Sequence, residues 1–213
     1  AQIYGEKGDY QKMFESYIDL VDKEENYLSL VQRYASQYIT EDAENETNIL
    51  FRKALLRKSV NNAKNEWNIL LSWLFAQQKE YGKALVQEKA LYTRNSSDLR
   101  EIFSLGKLAF ENKDFETATT TFTEEKIESN LYLAKIAVVT KNPATEKLFE
   151  SLFTQFGFDE FTINLQVAYA DFLTFSKNDP EKARTVLEKA LSFSRSKFDE
   201  ASIKLKLGDV LVF

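Results

Sequence analysis

The 213-residue chain contains no cysteine and no histidine, and only six glycines, two prolines and one methionine. Each shortage excludes something. Without thiols or imidazoles there is no disulfide, no cysteine nucleophile, no imidazole base and no zinc or haem site of the usual kind. Glycine and proline together make up roughly 4% of the chain, against a usual share of about 12%. That argues against hairpin meanders, sandwiches and glycine-rich phosphate loops. The longest mostly apolar stretch, Ile69 to Ala76, falls far short of the ~20 residues that span a bilayer. The opening AQIYGEKGDY lacks the basic-then-apolar order of a signal peptide. No basic stripe is present, and the net charge is −5, so nucleic acid is not an expected partner.

What is present is a foldable, helical composition. Apolar residues are 44% and charged residues 29% of the chain, enough to bury a core. Apolar residues recur at three- and four-residue spacing: Tyr10, Met13, Tyr17 and Leu20; Phe115, Ala118 and Phe122; Ala183, Leu187, Ala190 and Leu191. Strand-like alternation is absent, so the spacing predicts amphipathic helices. Twelve are expected near 9–22, 25–40, 44–60, 64–78, 81–94, 96–112, 115–125, 128–140, 142–156, 159–176, 179–195 and 198–213, with a partial helix over 1–6. Asp179-Pro180 and Asn142-Pro143 each read as an N-cap followed by proline at the first helical position. Asp98 with Glu101 fits a capping box. Asp9 and Asp114 each precede an aromatic that opens a helical run.

Four segments superimpose: GDYQKMFESYIDL from Gly8, KEYGKALVQEKAL from Lys79, KDFETATTTFTEE from Lys113 and NDPEKARTVLEKAL from Asn178. Their small or flexible positions, Met13, Ala84, Ala118 and Ala183, are 71, 34 and 65 residues apart. One of these is a single repeat length and the others are close to two. The best full copy, LREIFSLGKLAFENKDFETATTTF over 99–122, resembles the tetratricopeptide repeat (TPR) family. Leu105-Gly106 matches that family's first-helix pair, Phe115 the opening aromatic of the second helix, Ala118 the small crossing residue and Phe122 the later aromatic. Leu207-Gly208 matches the first-helix pair again, and Trp67 and Leu71 begin another copy ahead of Tyr81 and Ala84. Met13 and Pro180 depart from the pattern, and 23–63 fits it poorly.

The resemblance implies an all-α, right-handed α-solenoid of about six antiparallel helix pairs, twelve to thirteen helices in one domain over 1–213. It places Gly106 and Gly208 at helix crossings and Gly8 at a turn. It also implies a domain cut from a longer protein at both ends, so that apolar ends could pair into a dimer of no biological meaning. The function it implies is a non-catalytic scaffold that holds a protein or peptide in a concave groove lined by first helices. The groove positions are then Ile69, Trp73 and Gln77 on one helix, Arg100, Phe103, Lys107 and Phe110 on the next, and Phe172 and Phe175 further on. Trp73, Lys107 and Phe172 stand where the carboxylate-clamp variety of the family uses Asn and Lys, so capture of a peptide C-terminus is not expected.

Two other readings remain from the residues. The chain could be a helical module of a larger enzyme or carbohydrate-uptake protein. It could also be a hydrolase working through carboxylates alone, from clusters at Asp22, Glu24 and Glu25, at Glu41, Asp42, Glu44 and Glu46, or at Asp159 and Glu160. None of these has calcium-loop spacing, and acids at helix starts ordinarily serve the helix dipole. Ser194 to Lys197 is a Ser-x-x-Lys without its companion motifs, and Asn45-Glu46-Thr47 and Asn95-Ser96-Ser97 are bare glycosylation sequons. No cofactor and no membrane insertion are expected. A Lys-over-Arg excess with many Asn, Ile, Phe and Tyr suits an AT-rich bacterial gene. Cytoplasm and periplasm both stay open.

Overall fold

The computed structural model describes residues 1–95, 99–122 and 127–212, the side chain of Asn95 excepted. Among these are thirteen α-helices and no strand. They are α1 (Gln2–Glu6), α2 (Tyr10–Lys23), α3 (Leu28–Ala35), α4 (Glu46–Asn61), α5 (Asn65–Gln77), α6 (Tyr81–Asn95), α7 (Arg100–Glu111), α8 (Phe115–Thr121), α9 (Ile127–Val139), α10 (Thr145–Phe156), α11 (Ile163–Phe175), α12 (Pro180–Phe193) and α13 (Lys197–Val212). Short 3₁₀ turns at Glu25–Tyr27 and Glu160–Thr162 lead into α3 and α11.

The caps explain most of the helix starts. Asp9, Asp114 and Asp179 each accept a bond from the amide three residues on, at 3.2, 3.0 and 3.0 Å. This satisfies one of the donors that a helix start leaves over. Pro180 opens α12 as expected. Pro143 does not open a helix. Asn142 Oδ1 accepts from the Ala144 amide at 2.9 Å, so Asn142 closes a short side-chain turn around the proline, and α10 begins only at Thr145. The expected helix over 25–40 is also shorter, with α3 ending at Ala35. The capping box at Asp98 and the sequon serines Ser96 and Ser97 lie outside the described residues.

One turn recurs between paired helices. Gly8, Lys79, Lys113, Lys141 and Asn178 all have left-handed backbone, with φ of 76°, 58°, 65°, 53° and 56°. After the first four, the next amide reaches back five residues: Asp9 to the Tyr4 carbonyl at 2.8 Å, and Glu80 to Phe75, Asp114 to Ala109 and Asn142 to Ala137, each at 2.9 Å. This is the Schellman closure of a helix C-terminus. At Asn178 the turn is one residue longer, and Asp179 reaches the Leu173 carbonyl instead.

The described chain forms two compact units, residues 1–121 and 122–213. In the first, α2 packs on α1, α3 and α4, α5 on α3, α4 and α6, α6 on α7 and α8, and α7 on α8. In the second, α11 packs on α9, α12 and α13, α9 on α10, and α12 on α13. Each helix touches its chain neighbour or the one after, the short-range pattern of a helical repeat. Close approach needs small residues. Ala84, Ala118 and Ala183 on α6, α8 and α12 are all 0% exposed, as is Met13 on α2. Ser72, Gly106, Ala134 and Ala170 are buried on α5, α7, α9 and α11. Gly208 is the exception to the expectation: it is exposed, and no atom lies within 4 Å of where its Cβ would stand.

An ion-pair cluster ties α2 to the α4–α5 turn. Asp22 is held by Lys58 at 2.8 Å and Lys64 at 2.7 Å, and Lys64 also donates to the Asp22 carbonyl at 2.7 Å. Bonds from these two ammonium groups lower the Asp22 carboxyl from 3.8 to about 2. A carboxyl lowered in the folded state stabilises above its unfolded value. The contribution is therefore complete above pH ~4 and is lost as acid takes the solution down through pH ~2. After allowance for solvent screening it is about 1–2 kcal/mol. Asp22→Asn is expected to lose that amount at pH 7 and to flatten the acid limb. Both Trp67 and Trp73 lie in the first unit, so tryptophan fluorescence during urea and acid titrations reads it. A variant as stable and as acid-sensitive as the parent would refute the assignment.

Candidate binding surface

Seven of the nine expected groove residues lie in the first unit. On α5, Ile69 and Trp73 are half-buried and Gln77 is exposed. The Trp73 ring meets Phe51 of α4 edge-on, with centroids 6.4 Å apart, which holds the indole at the seam between α4 and α5. On α7, Arg100 is exposed while Phe103, Lys107 and Phe110 are half-buried. Lys107 Nζ sits over the Phe103 ring, 5.1 Å from its centroid, one turn further along the helix. Phe110 packs on Phe115, which opens α8, at 5.9 Å. The two sets are on separate helices, and α6 packs against both.

The other two residues lie in the second unit and part company. Phe172 is 7% exposed, stacked on Phe149 at 5.7 Å and on Tyr169 at 6.3 Å. It is a core residue, which corrects the expectation that it faces a groove. The longer turn at Asn178 shifts the count by one residue, so that Asp171, and not Phe172, follows the buried small residue of α11 as Trp73 and Lys107 follow Ser72 and Gly106. Phe175 is 58% exposed.

The acidic clusters have structural partners. Besides Asp22, Glu41 pairs with Lys79 at 2.6 Å, and Asp42 accepts from the Glu44 amide at 3.0 Å. Asp159 and Thr162 form a reciprocal cap, and Glu160 pairs with Arg195. Among the described residues, no three carboxylates are grouped so as to hold a metal ion. A cleft of about 700 Å³ lies beside Asp22, Glu24, Lys64, Glu66 and Arg94. Two of its cations are tied to its walls: Lys64 pairs with Asp22, and Arg94 donates to the side-chain oxygens of Asn65 at 3.3 Å and Asn68 at 2.8 Å. Burial raises the Glu88 carboxyl on α6 above its usual range. A bond from Ser72 opposes the shift, and the Glu101 charge adds to it. No described helix is long and apolar enough to cross a membrane.

Sequence reasoning missed Asn48, a fully buried side chain in the first turn of α4. Its amide donates to the Thr40 carbonyl at 2.8 Å and the Asp42 carbonyl at 2.6 Å, and its Oδ1 accepts from the Thr40 amide at 3.1 Å. One side chain thus orders the whole 40–42 segment. Its only sequence signal is a polar residue in register with Phe51 and Leu55, three and seven positions on.

No protein-family model matches the chain, and no curated protein matches it. A crystal structure of a tetratricopeptide repeat protein from Parabacteroides merdae is similar to it at 16% identity and a TM-score of 0.37. That match covers 99% of this chain and 95% of the other.

Proposed function

We propose that the chain is a tetratricopeptide-like, non-catalytic scaffold that binds an extended peptide or a helix of a partner protein along α5 and α7. The observation that carries this reading is the half-buried state of Ile69, Trp73, Phe103, Lys107 and Phe110, with Gln77 and Arg100 exposed beside them. Aromatics fixed at the base and open at the rim are the usual anchors of a binding surface. Two cations, Arg100 and Lys107, add preference for an acidic residue next to the apolar anchor. The repeat assignment is supported by the burial of Leu105, Gly106, Ala118 and Phe122, four of the five motif positions, with Phe115 half-buried. Phe172 has no part in the surface.

The test is selection of displayed random peptides on the 213-residue chain. Enriched sequences are expected to pair an aromatic or aliphatic anchor with Asp or Glu. Trp73→Ala and Phe103→Ala, with helical content verified, are expected to weaken the selected peptides about tenfold each. Binding should also perturb Trp73 fluorescence. Peptides that bind both variants as tightly as the parent would place the surface elsewhere.

A further inference from the structure

The side chains of α7 stand in an order that limits what can lie along them. Arg100, Phe103, Lys107 and Phe110 follow one another at steps of three, four and three residues, so they form one stripe along the helix. The stripe alternates cation, ring, cation, ring. Lys107 Nζ is held over the Phe103 ring at 5.1 Å, and Phe110 is packed on Phe115 at 5.9 Å, so contacts within the chain hold this order in place. Glu111 ends the helix one step past Phe110 and makes that end of the stripe negative. On α5, Ile69 and Trp73 stand one repeat, 34 residues, before Phe103 and Lys107 and add apolar surface at the equivalent positions.

The spacing selects the conformation of the occupant. At about 1.5 Å per residue, the four positions span roughly 15 Å. An extended peptide places a side chain on one face only about every 6.6 Å. Over that length it presents three side chains and falls out of step with four. A second helix rises by the same amount per residue, so its positions i, i+3, i+7 and i+10 can meet all four in turn. Charge complementarity then selects the residue types. We infer that the α5 and α7 surface takes a helix of a partner protein lying along α7, one that carries acidic, apolar, acidic and apolar residues at i, i+3, i+7 and i+10, or in the reverse order, with a basic residue beside the apolar end to meet Glu111. The inference rests on the surface proposed above and narrows its ligand from any peptide to a patterned helix.

The probe is a dye-labelled, alanine-based peptide of about 18 residues, closed into a helix by a lactam on its far face. It carries Glu, Leu, Glu, Leu and Lys at i, i+3, i+7, i+10 and i+11, and a second peptide carries the same pattern reversed. Fluorescence anisotropy with the 213-residue chain reads binding. One of the two is expected to bind saturably. A linear peptide of the same composition, with its acids and leucines at every second position, should bind at least about tenfold more weakly. So should the patterned peptide with proline at its centre and no lactam. Lys107→Glu, with helical content verified, should weaken the patterned helix about tenfold, and lysine in place of the acid between its two leucines should restore most of the loss. Tighter binding by the linear alternating peptide would overturn the inference and leave the surface standing. So would displayed peptides that bind and are weakened by Trp73→Ala while neither patterned helix binds. Patterned binding indifferent to Lys107→Glu would also overturn it, because the charge order would then play no part. If neither selected nor patterned peptides bind, the surface and the inference fall together.

Discussion

Phe149→Ala is expected to cost the second unit about 3–5 kcal/mol, the range for emptying a fully buried phenylalanine site. Phe149 is 0% exposed at the centre of an aromatic cluster. Its ring lies 5.0 Å from Tyr169, 5.7 Å from Phe172 and 6.4 Å from Phe153. Phe153 in turn contacts Phe158 at 4.8 Å, and Phe158 meets Phe193 of α12 at 6.5 Å. One side chain on α10 therefore anchors contacts that run through α11 and the 157–162 turn to α12. Rings that face the vacated space cannot collapse into it without leaving their other neighbours, so a cavity remains and adds its own cost. A loss of this size is a large part of the 5–15 kcal/mol that holds an ordinary domain together. Urea unfolding followed by far-UV circular dichroism, with amide exchange over α10 to α12, measures it. Phe149→Leu keeps most of the volume and should cost less than half as much. A loss below about 1 kcal/mol for the alanine variant would mean the cluster relaxes around the hole.

The helical plan was legible because it is written in repeated local signals. Asp9, Asp114 and Asp179 cap helices where a short side chain must, and the apolar period runs unbroken behind each one. Other features depend on contacts that spacing does not encode. Lysine has no preference for left-handed backbone, a conformation that costs a non-glycine residue about 1 kcal/mol. Lys79, Lys113 and Lys141 adopt it because the helices on either side close the turn. Asn142 could cap a helix or fold back on Ala144, and only the structure decides. The Phe172 error has one cause, a single extra residue before Asp179. Such a slip leaves the helix prediction intact and puts the register expected for α11 off by one residue, about 100° around the helix. For the candidate surface, the residue types and the helix face were readable. Which aromatics stand half-open was not, since that depends on neighbours such as Phe51 and Phe115 from other helices.

The second large effect lies at Asn48. Asn48→Ala is expected to cost about 2–3 kcal/mol, because it leaves the Thr40 amide and the Thr40 and Asp42 carbonyls without their partner. Asn48→Asp is nearly the same size and should be worse at neutral pH. It replaces an amide that donates to two carbonyl oxygens with an anion that faces them. Burial and those oxygens both disfavour the charged form, so the new carboxyl should titrate above the usual carboxylate range in the folded state. A carboxyl raised on folding destabilises once the solution rises above its unfolded value, and protonation relieves the penalty. The aspartate variant is therefore expected to regain stability as the pH falls from 7 toward 4, where the neutral acid can again donate one bond. The alanine variant should show no such recovery. Urea midpoints from the fluorescence of Trp67 and Trp73 at both pH values separate the two. If the aspartate variant gained no stability between pH 7 and pH 4, Asn48 would be ordering the 40–42 segment through its shape and not through its donors.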